Sequence, residues 1–108
     1  MLHRNHKRFT AALIALFILA GLPAVVLADG APLYKAKCAA CHAADGSGNT
    51  TVGKNLKVRP FSAAEVQKCP DAELTKMISD GKGKMPAYGK KLTPAEIQSL
   101  VALIRTMK

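Results

Sequence analysis

Cys38-Ala39-Ala40-Cys41-His42 is the stretch that decides how this chain is read. Of the three histidines, His3 and His6 precede an apolar N-terminal run, so His42 alone remains once that run is set aside. On a helical turn, residues 38 and 41 stand three apart and share a face. Cys-x-x-Cys-His is the spacing at which two thiols add across the vinyl groups of one haem, and the adjacent imidazole then reaches the iron. Three other chemistries compete for the same thiols. A thioredoxin-type dithiol needs a βαβ context, which is absent. A structural disulfide leaves His42 without a purpose. A zinc site could recruit Cys69, but Cys41 and His42 are consecutive, whereas zinc ligand pairs are usually separated by about a dozen residues or more. Motif and export signal together point to haem.

Toward the N-terminus, His3-Arg4-Asn5-His6-Lys7-Arg8 is a basic start and Phe9 to Ala20 is almost wholly apolar. Gly21 and Pro23 interrupt it, and Val26-Leu27-Ala28 offers the small or β-branched residues that a signal peptidase reads. Residues 1–28 are expected to be an export leader cut between Ala28 and Asp29, and residues 29–108 the working domain. If retained, the uncharged run Thr10 to Ala28 is about long enough to anchor the chain in a membrane. Pro23 and the Val-x-Ala ending favour cleavage, a periplasmic product and no stable membrane insertion.

A domain of that size is marginal on its own core and usually depends on a disulfide, metal or cofactor. With no Trp, and only Tyr34, Phe61 and Tyr88 beyond the leader, a central haem would supply the missing apolar mass. The apoprotein is accordingly expected to fold poorly. The chain has 16 basic residues against 7 acidic, and only Arg4, Lys7 and Arg8 of the basic ones fall in the leader. Basic domains bind nucleic acid, but an exported one rarely meets any. The expected partners are redox proteins with acidic docking surfaces, met faster at low salt.

Pro32 suits an early helical position, and Leu33 to Cys41 reads as a short helix delivering both thiols. Ala43 to Asn55 reads as loop, with Gly46, Gly48 and Gly53 in a small, polar stretch. Ser62 with Glu65 three residues later reads as a capping box opening a short helix. Pro70 starts the next helix, with Leu74, Met77 and Ile78 on one face and Met77 as core filler, and Gly81 ends it. Gly81 to Lys91 is loop again. Thr93, Pro94 and Glu96 open the last helix, Leu92 and Ile97 flank its cap as a hydrophobic staple, and Ile97, Leu100, Val101 and Ile104 form a buried stripe. No run alternates with period two, so the fold class is all-α: about four short helices and loops wrapped around one haem.

A second axial ligand must be a soft or imidazole donor, and no histidine is spare. Met107 reads as frayed beside the C-terminus. Met85 lies in Gly81-Lys82-Gly83-Lys84-Met85-Pro86, a glycine-rich loop able to approach a flat ring closely and stiffened by Pro86. Met85 is the expected ligand opposite His42.

On these residues the chain resembles the small single-haem c-type cytochromes of the bacterial class I kind, across residues 30 to 108. Gly30 and Tyr34 resemble the Gly and aromatic of that family's first helix. Cys38, Cys41 and His42 match its haem motif, and Met85-Pro86 its distal-loop signature. The resemblance implies that the helix from Thr93 to Lys108 crosses the first helix. It also implies a hydrogen bond from the His42 ring to a proximal-loop carbonyl. The family commonly has Pro after Gly there; here Lys54 follows Gly53, and a carbonyl near residue 54 is the expected acceptor. Family members often carry an aromatic in the last helix where this chain has Leu103 or a neighbour, so a looser contact with Tyr34 is expected.

With His42 and Met85 both on the iron, no position is left for oxygen or substrate. The expectation is a periplasmic electron-transfer protein, not an enzyme, with one covalently attached haem c per chain and a raised potential. The alternative is a cytochrome subunit or domain tightly associated with a larger redox enzyme. A haem enzyme with an open iron, or a thiol or metal module without haem, would be separated from these by their spectra. Lys54, Lys57, Lys82, Lys84, Lys90 and Lys91 are expected to steer docking. The chain is expected to be a monomer. Cys69, the leftover thiol, reads as a small packing residue ahead of Pro70, with a Cys69-linked dimer as the alternative.

Overall fold

The computed structural model describes residues 29–108, so the expected leader and its cleavage point at Ala28 lie outside the described residues. Six helices follow in order: α1 (Gly30–Lys37), α2 (Ala39–His42), α3 (Thr51–Asn55), α4 (Ala64–Gln67), α5 (Asp71–Asp80) and α6 (Pro94–Thr106). Among the described residues the only strand-like pairing is an isolated antiparallel bridge between Lys82 and Met85. No described helix is long and apolar enough to cross a membrane. The all-α reading stands, with more and shorter helices than the four expected.

The first helix begins earlier than its apolar pattern suggests, because the Asp29 carboxylate accepts from Ala31 N at 3.0 Å and caps it. It also stops short. Cys38 leaves ideal helical geometry at φ −118° and ψ −37°, and α2 restarts from it. The expected single helix from Leu33 to Cys41 is therefore two, hinged at the first thiol. Cys38 N still donates to Tyr34 O at 2.8 Å, and Cys38 O accepts from Cys41 N and His42 N, so the motif turn is continuous in hydrogen bonding.

The segment read as loop contains α3. Thr50 caps it by accepting from Gly53 N at 2.8 Å, a signal hidden by the glycine inside so short a helix. The Ser62 capping box does not form: α4 starts one residue later, with Ala63 at the cap and no side-chain bond. Ala63 N donates instead to Pro60 O at 3.0 Å, so a backbone turn replaces the side-chain cap.

The last helix matches its signals. Thr93 Oγ1 accepts from Glu96 N, and the Glu96 carboxylate accepts from Thr93 N, closing the capping box. Leu92 and Ile97 are both buried, as are Leu100, Val101 and Ile104. The α1–α6 crossing implied by the resemblance is present. A Cβ on Gly30 would stand 2.6 Å from Ser99 O, so only glycine admits so close an approach of the two backbones. Tyr34 is only 4 % exposed, and Phe61 meets it edge-on at 6.3 Å and 63°.

Two methionines depart from expectation. Met77 is 37 % exposed rather than core filler, because the buried face of α5 is Leu74 and Ile78. Met107 is not frayed: it packs on the core, with its sulfur 2.8 Å from where a Cβ on Gly46 would lie. Arg105 ties the α4–α5 corner to α6. Its guanidinium donates to Val66 O at 3.2 Å, Gln67 O at 2.9 Å and Cys69 O, and pairs with Asp71 at 2.7 Å. Asp71 is largely exposed, so that ion pair contributes little; the carbonyl contacts, about 1.5–3 kcal/mol each for a charged donor, stabilise the corner.

Candidate functional site

Cys38, Cys41, His42 and Met85, drawn from segments far apart in the chain, all line one cavity of about 540 Å³. Its walls are largely apolar: Phe61 and Val66 from the middle of the chain, Leu74 and Ile78 from α5, Leu100 and Ile104 from α6. Cys38 and Cys41 are each half-buried and form no disulfide. Burial first, and then the proximity of Cys41, pushes the Cys38 thiol up. Burial also holds the His42 imidazole below its usual range, which keeps it neutral with a lone pair to offer.

His42 is held by packing and by its backbone. Phe61 stacks on its ring at 4.6 Å and 22°, and Gly48 N donates to His42 O at 2.8 Å. Its Nδ1 is buried without a hydrogen-bond partner. The hydrogen bond expected from this ring to a carbonyl near residue 54 is therefore not formed. The proximal loop is nonetheless pressed against the motif. Thr50 Oγ1 donates to Cys41 O at 3.0 Å, and a Cβ on Gly53 would collide with the carbonyls of Cys41 and Gly48. Phe61 and Thr50 are site residues that the sequence reading missed. Phe61 is one of three aromatics beyond the leader, which is the one signal that could have drawn attention to it.

Met85 sits in a loop fastened at both ends. Lys82 and Met85 exchange backbone bonds of 3.2 and 2.9 Å around Gly83, and Tyr88 N and Gly89 N donate to Ile78 O and Ser79 O of α5. Tyr88 Oη donates to Lys37 O at 3.1 Å, tying the loop to α1. Gly81, at φ +71°, leaves room for Met85 O, which would stand 2.5 Å from a Cβ there. Met77 also lines the cavity.

Lys37, Lys57, Arg59, Lys82 and Lys84 lie on the cavity lining, and no acidic residue does. All five are exposed. Lys57, Lys82 and Lys84 were expected there. Lys54, Lys90 and Lys91 are exposed but off the lining, and Lys91 Nζ lies 5.8 Å from the Tyr88 ring centroid. Cys69 is also off it: half-buried against the core, its Sγ donates to Glu73 Oε2 at 3.2 Å.

Burial above all pushes the Tyr34 hydroxyl up to about 12 from 10.0, and the Asp45 carboxylate adds to it. The folded state therefore holds this proton more tightly than the unfolded chain. The stabilisation is complete below pH 10 and is lost as pH rises toward 12. Denaturant midpoints measured against pH should fall across that window, and Tyr34→Phe should flatten the fall.

The family model described as cytochrome C oxidase, cbb3-type, subunit III matches residues 25–104. The cytochrome c6 of Synechococcus sp. is 35% identical over 79 residues, covering 72% of this chain and 67% of that protein. The cytochrome c6 of Gloeothece citriformis is 31% identical over 105 residues, covering 91% and 92% respectively. The cbb3-type cytochrome c oxidase subunit FixP of Azorhizobium caulinodans is 34% identical over 80 residues, covering 72% of this chain but 26% of that subunit. Among solved structures, the KustC0563 c-type cytochrome superposes with a TM-score of 0.69 at 38% identity, covering 74% of this chain and 98% of that one. A helical fold closed on one apolar cavity, a Cys-x-x-Cys-His turn in its wall and these likenesses together lead to one conclusion: the chain belongs to the small class I c-type cytochromes, single-haem electron-transfer proteins with covalently attached haem c.

Proposed function

We propose that residues 29–108 are an exported, periplasmic electron carrier without catalytic activity, released from a leader spanning residues 1–28. In this reading Cys38 and Cys41 would hold the haem as thioethers, and His42 and Met85 would supply the protein ligands to its iron. The observation that carries it is the convergence of those four side chains on one apolar cavity. When bound, haem c supplies a one-electron iron couple. The chain's own residues do the rest. Phe61 fixes the imidazole plane, the α5-anchored loop presents Met85, and the apolar walls exclude water. Exclusion of water disfavours the more highly charged oxidised site and so raises the potential. With two protein side chains as its ligands, the iron would offer no position to a substrate.

A pyridine haemochrome spectrum of protein matured with a haem-attachment system tests the thioethers: two saturated vinyl positions are expected, and a colourless product would sink the proposal. A near-infrared methionine-to-iron charge-transfer band tests the axial pair.

The exposed cations along the cavity favour acidic redox partners met by electrostatic steering. Electron-transfer rates with an acidic partner should fall steeply as ionic strength rises, and Lys82→Glu or Lys84→Glu should weaken that dependence; rates indifferent to salt would remove the acidic partner from the proposal. A monomer is the state proposed, since the Cys69 thiol is half-buried and engaged by Glu73. A second reading, a domain working within a larger oxidase assembly, is favoured by the family model and by the likeness to FixP.

A further inference from the structure

Ala43, the residue directly after His42, closes α2 at φ 67° and ψ 160°. That is a backbone region nearly reserved for glycine, and a side chain held there is strained and persists only where its surroundings enforce it. Among the described residues only Ala43 and Lys57 combine a side chain with positive φ. What enforces it at Ala43 is visible. Ala43 N donates to Ala39 O at 2.9 Å, and Ala43 O accepts from Gly46 N at 3.2 Å. The shortest of its bonds comes from a side chain: Tyr34 Oη donates to Ala43 O at 2.6 Å. Tyr34 reaches it from α1 and is itself nearly fully buried. The same ring meets Phe61 edge-on, and Phe61 stacks on His42.

We infer that Tyr34 is a positioning residue for the His42 imidazole. It acts by two routes that meet at the ring. Its hydroxyl clamps the strained peptide on the C-terminal side of His42, and its ring supports the Phe61 face that sets the imidazole plane. With Nδ1 lacking a protein acceptor, these contacts, rather than a hydrogen bond to the ring, orient the histidine. Rotation of the imidazole about its bond to the iron alters the electronic asymmetry of a ferric low-spin haem. The clamp therefore sets a spectroscopic and redox property, not stability alone.

The inference rests on His42 being an axial ligand, which the wild-type ferric spectrum reads independently. The test uses the holoprotein and three variants: Tyr34→Phe, Ala43→Gly and the pair together. Tyr34→Phe keeps the ring and removes only the donor. It is expected to change the spread of the haem-methyl NMR shifts and the ferric g-values and to move the reduction potential, while the methionine charge-transfer band is retained. Ala43→Gly removes the strain and should raise the denaturant midpoint at pH 7. In the double variant the two effects should be non-additive, because the tyrosine donor and the strained peptide are one device. If Tyr34→Phe lowers the midpoint but leaves methyl shifts, g-values and potential superimposable on wild type, Tyr34 is packing only and the inference fails. Strict additivity of the two substitutions overturns it equally. A wild-type spectrum lacking an axial histidine would instead overturn the ligand assignment on which it stands.

Discussion

Replacing Met85 with alanine is expected to lower the reduction potential by a sizeable part of the roughly 0.8 V span that axial ligands command. The same change should open the iron to carbon monoxide or cyanide, which wild type should exclude. The size of the effect follows from how the loop is built. Met85 is held by the reciprocal backbone bonds to Lys82, and the loop is fastened to α5 through Tyr88 N and Gly89 N and to α1 through Tyr88 Oη. A loop so tied will not collapse to deliver another donor when the thioether is deleted. As the proposed ligand, the soft thioether would stabilise the reduced state, and its loss would leave a harder position favouring the oxidised one. Potentiometry and ligand titration read both consequences. Unchanged values would remove Met85 as the ligand and turn attention to Met77, the other thioether on the cavity wall.

The second large effect is on stability. Leu100 is the most completely buried side chain described, at 1% exposure, and stands at the middle of the α6 stripe on the cavity wall. Truncating a buried leucine to alanine removes transfer free energy and leaves a partly unfilled space, together about 2–5 kcal/mol. Domains have about 5–15 kcal/mol in total, and small ones sit at the low end. Leu100→Ala should therefore displace the denaturant midpoint by a large fraction of its wild-type value. Val52→Ala, at an exposed position, is the control and should stay within about 0.5 kcal/mol. Comparable shifts for the two would mean that the α6 stripe is not the main core of the domain.

Much of this molecule was legible from local signals. α6 was readable end to end because its cap, its staple and its stripe are all sequence-local and agree. The end of α5 at Gly81 was readable for the same reason: positive φ there suits glycine. The site was legible in outline, since Cys38, Cys41 and His42 lie within five residues and Met85 is marked by its glycines. What failed were positions where a local pattern met a competing bond. Ser62 lost its cap to a backbone turn at Pro60. α3 was concealed because its cap, Thr50, precedes a helix too short to show periodicity. Met77 was assigned to the core on spacing alone, yet Leu74 and Ile78 already fill the buried face of α5.

The order of residues by itself determined the chemistry on offer: two thiols and an imidazole in one turn, a thioether in a constrained loop, an excess of positive charge, and helices rather than strands. Those properties are carried by side-chain type and short-range spacing, which need no knowledge of the fold. The tertiary structure alone decided that Phe61 lies against His42 and that Gly30 lets α1 cross α6 in contact with Ser99. Each of these joins segments distant along the chain. Such a contact forms only when burial of the whole core brings those segments together, so no window of sequence contains it.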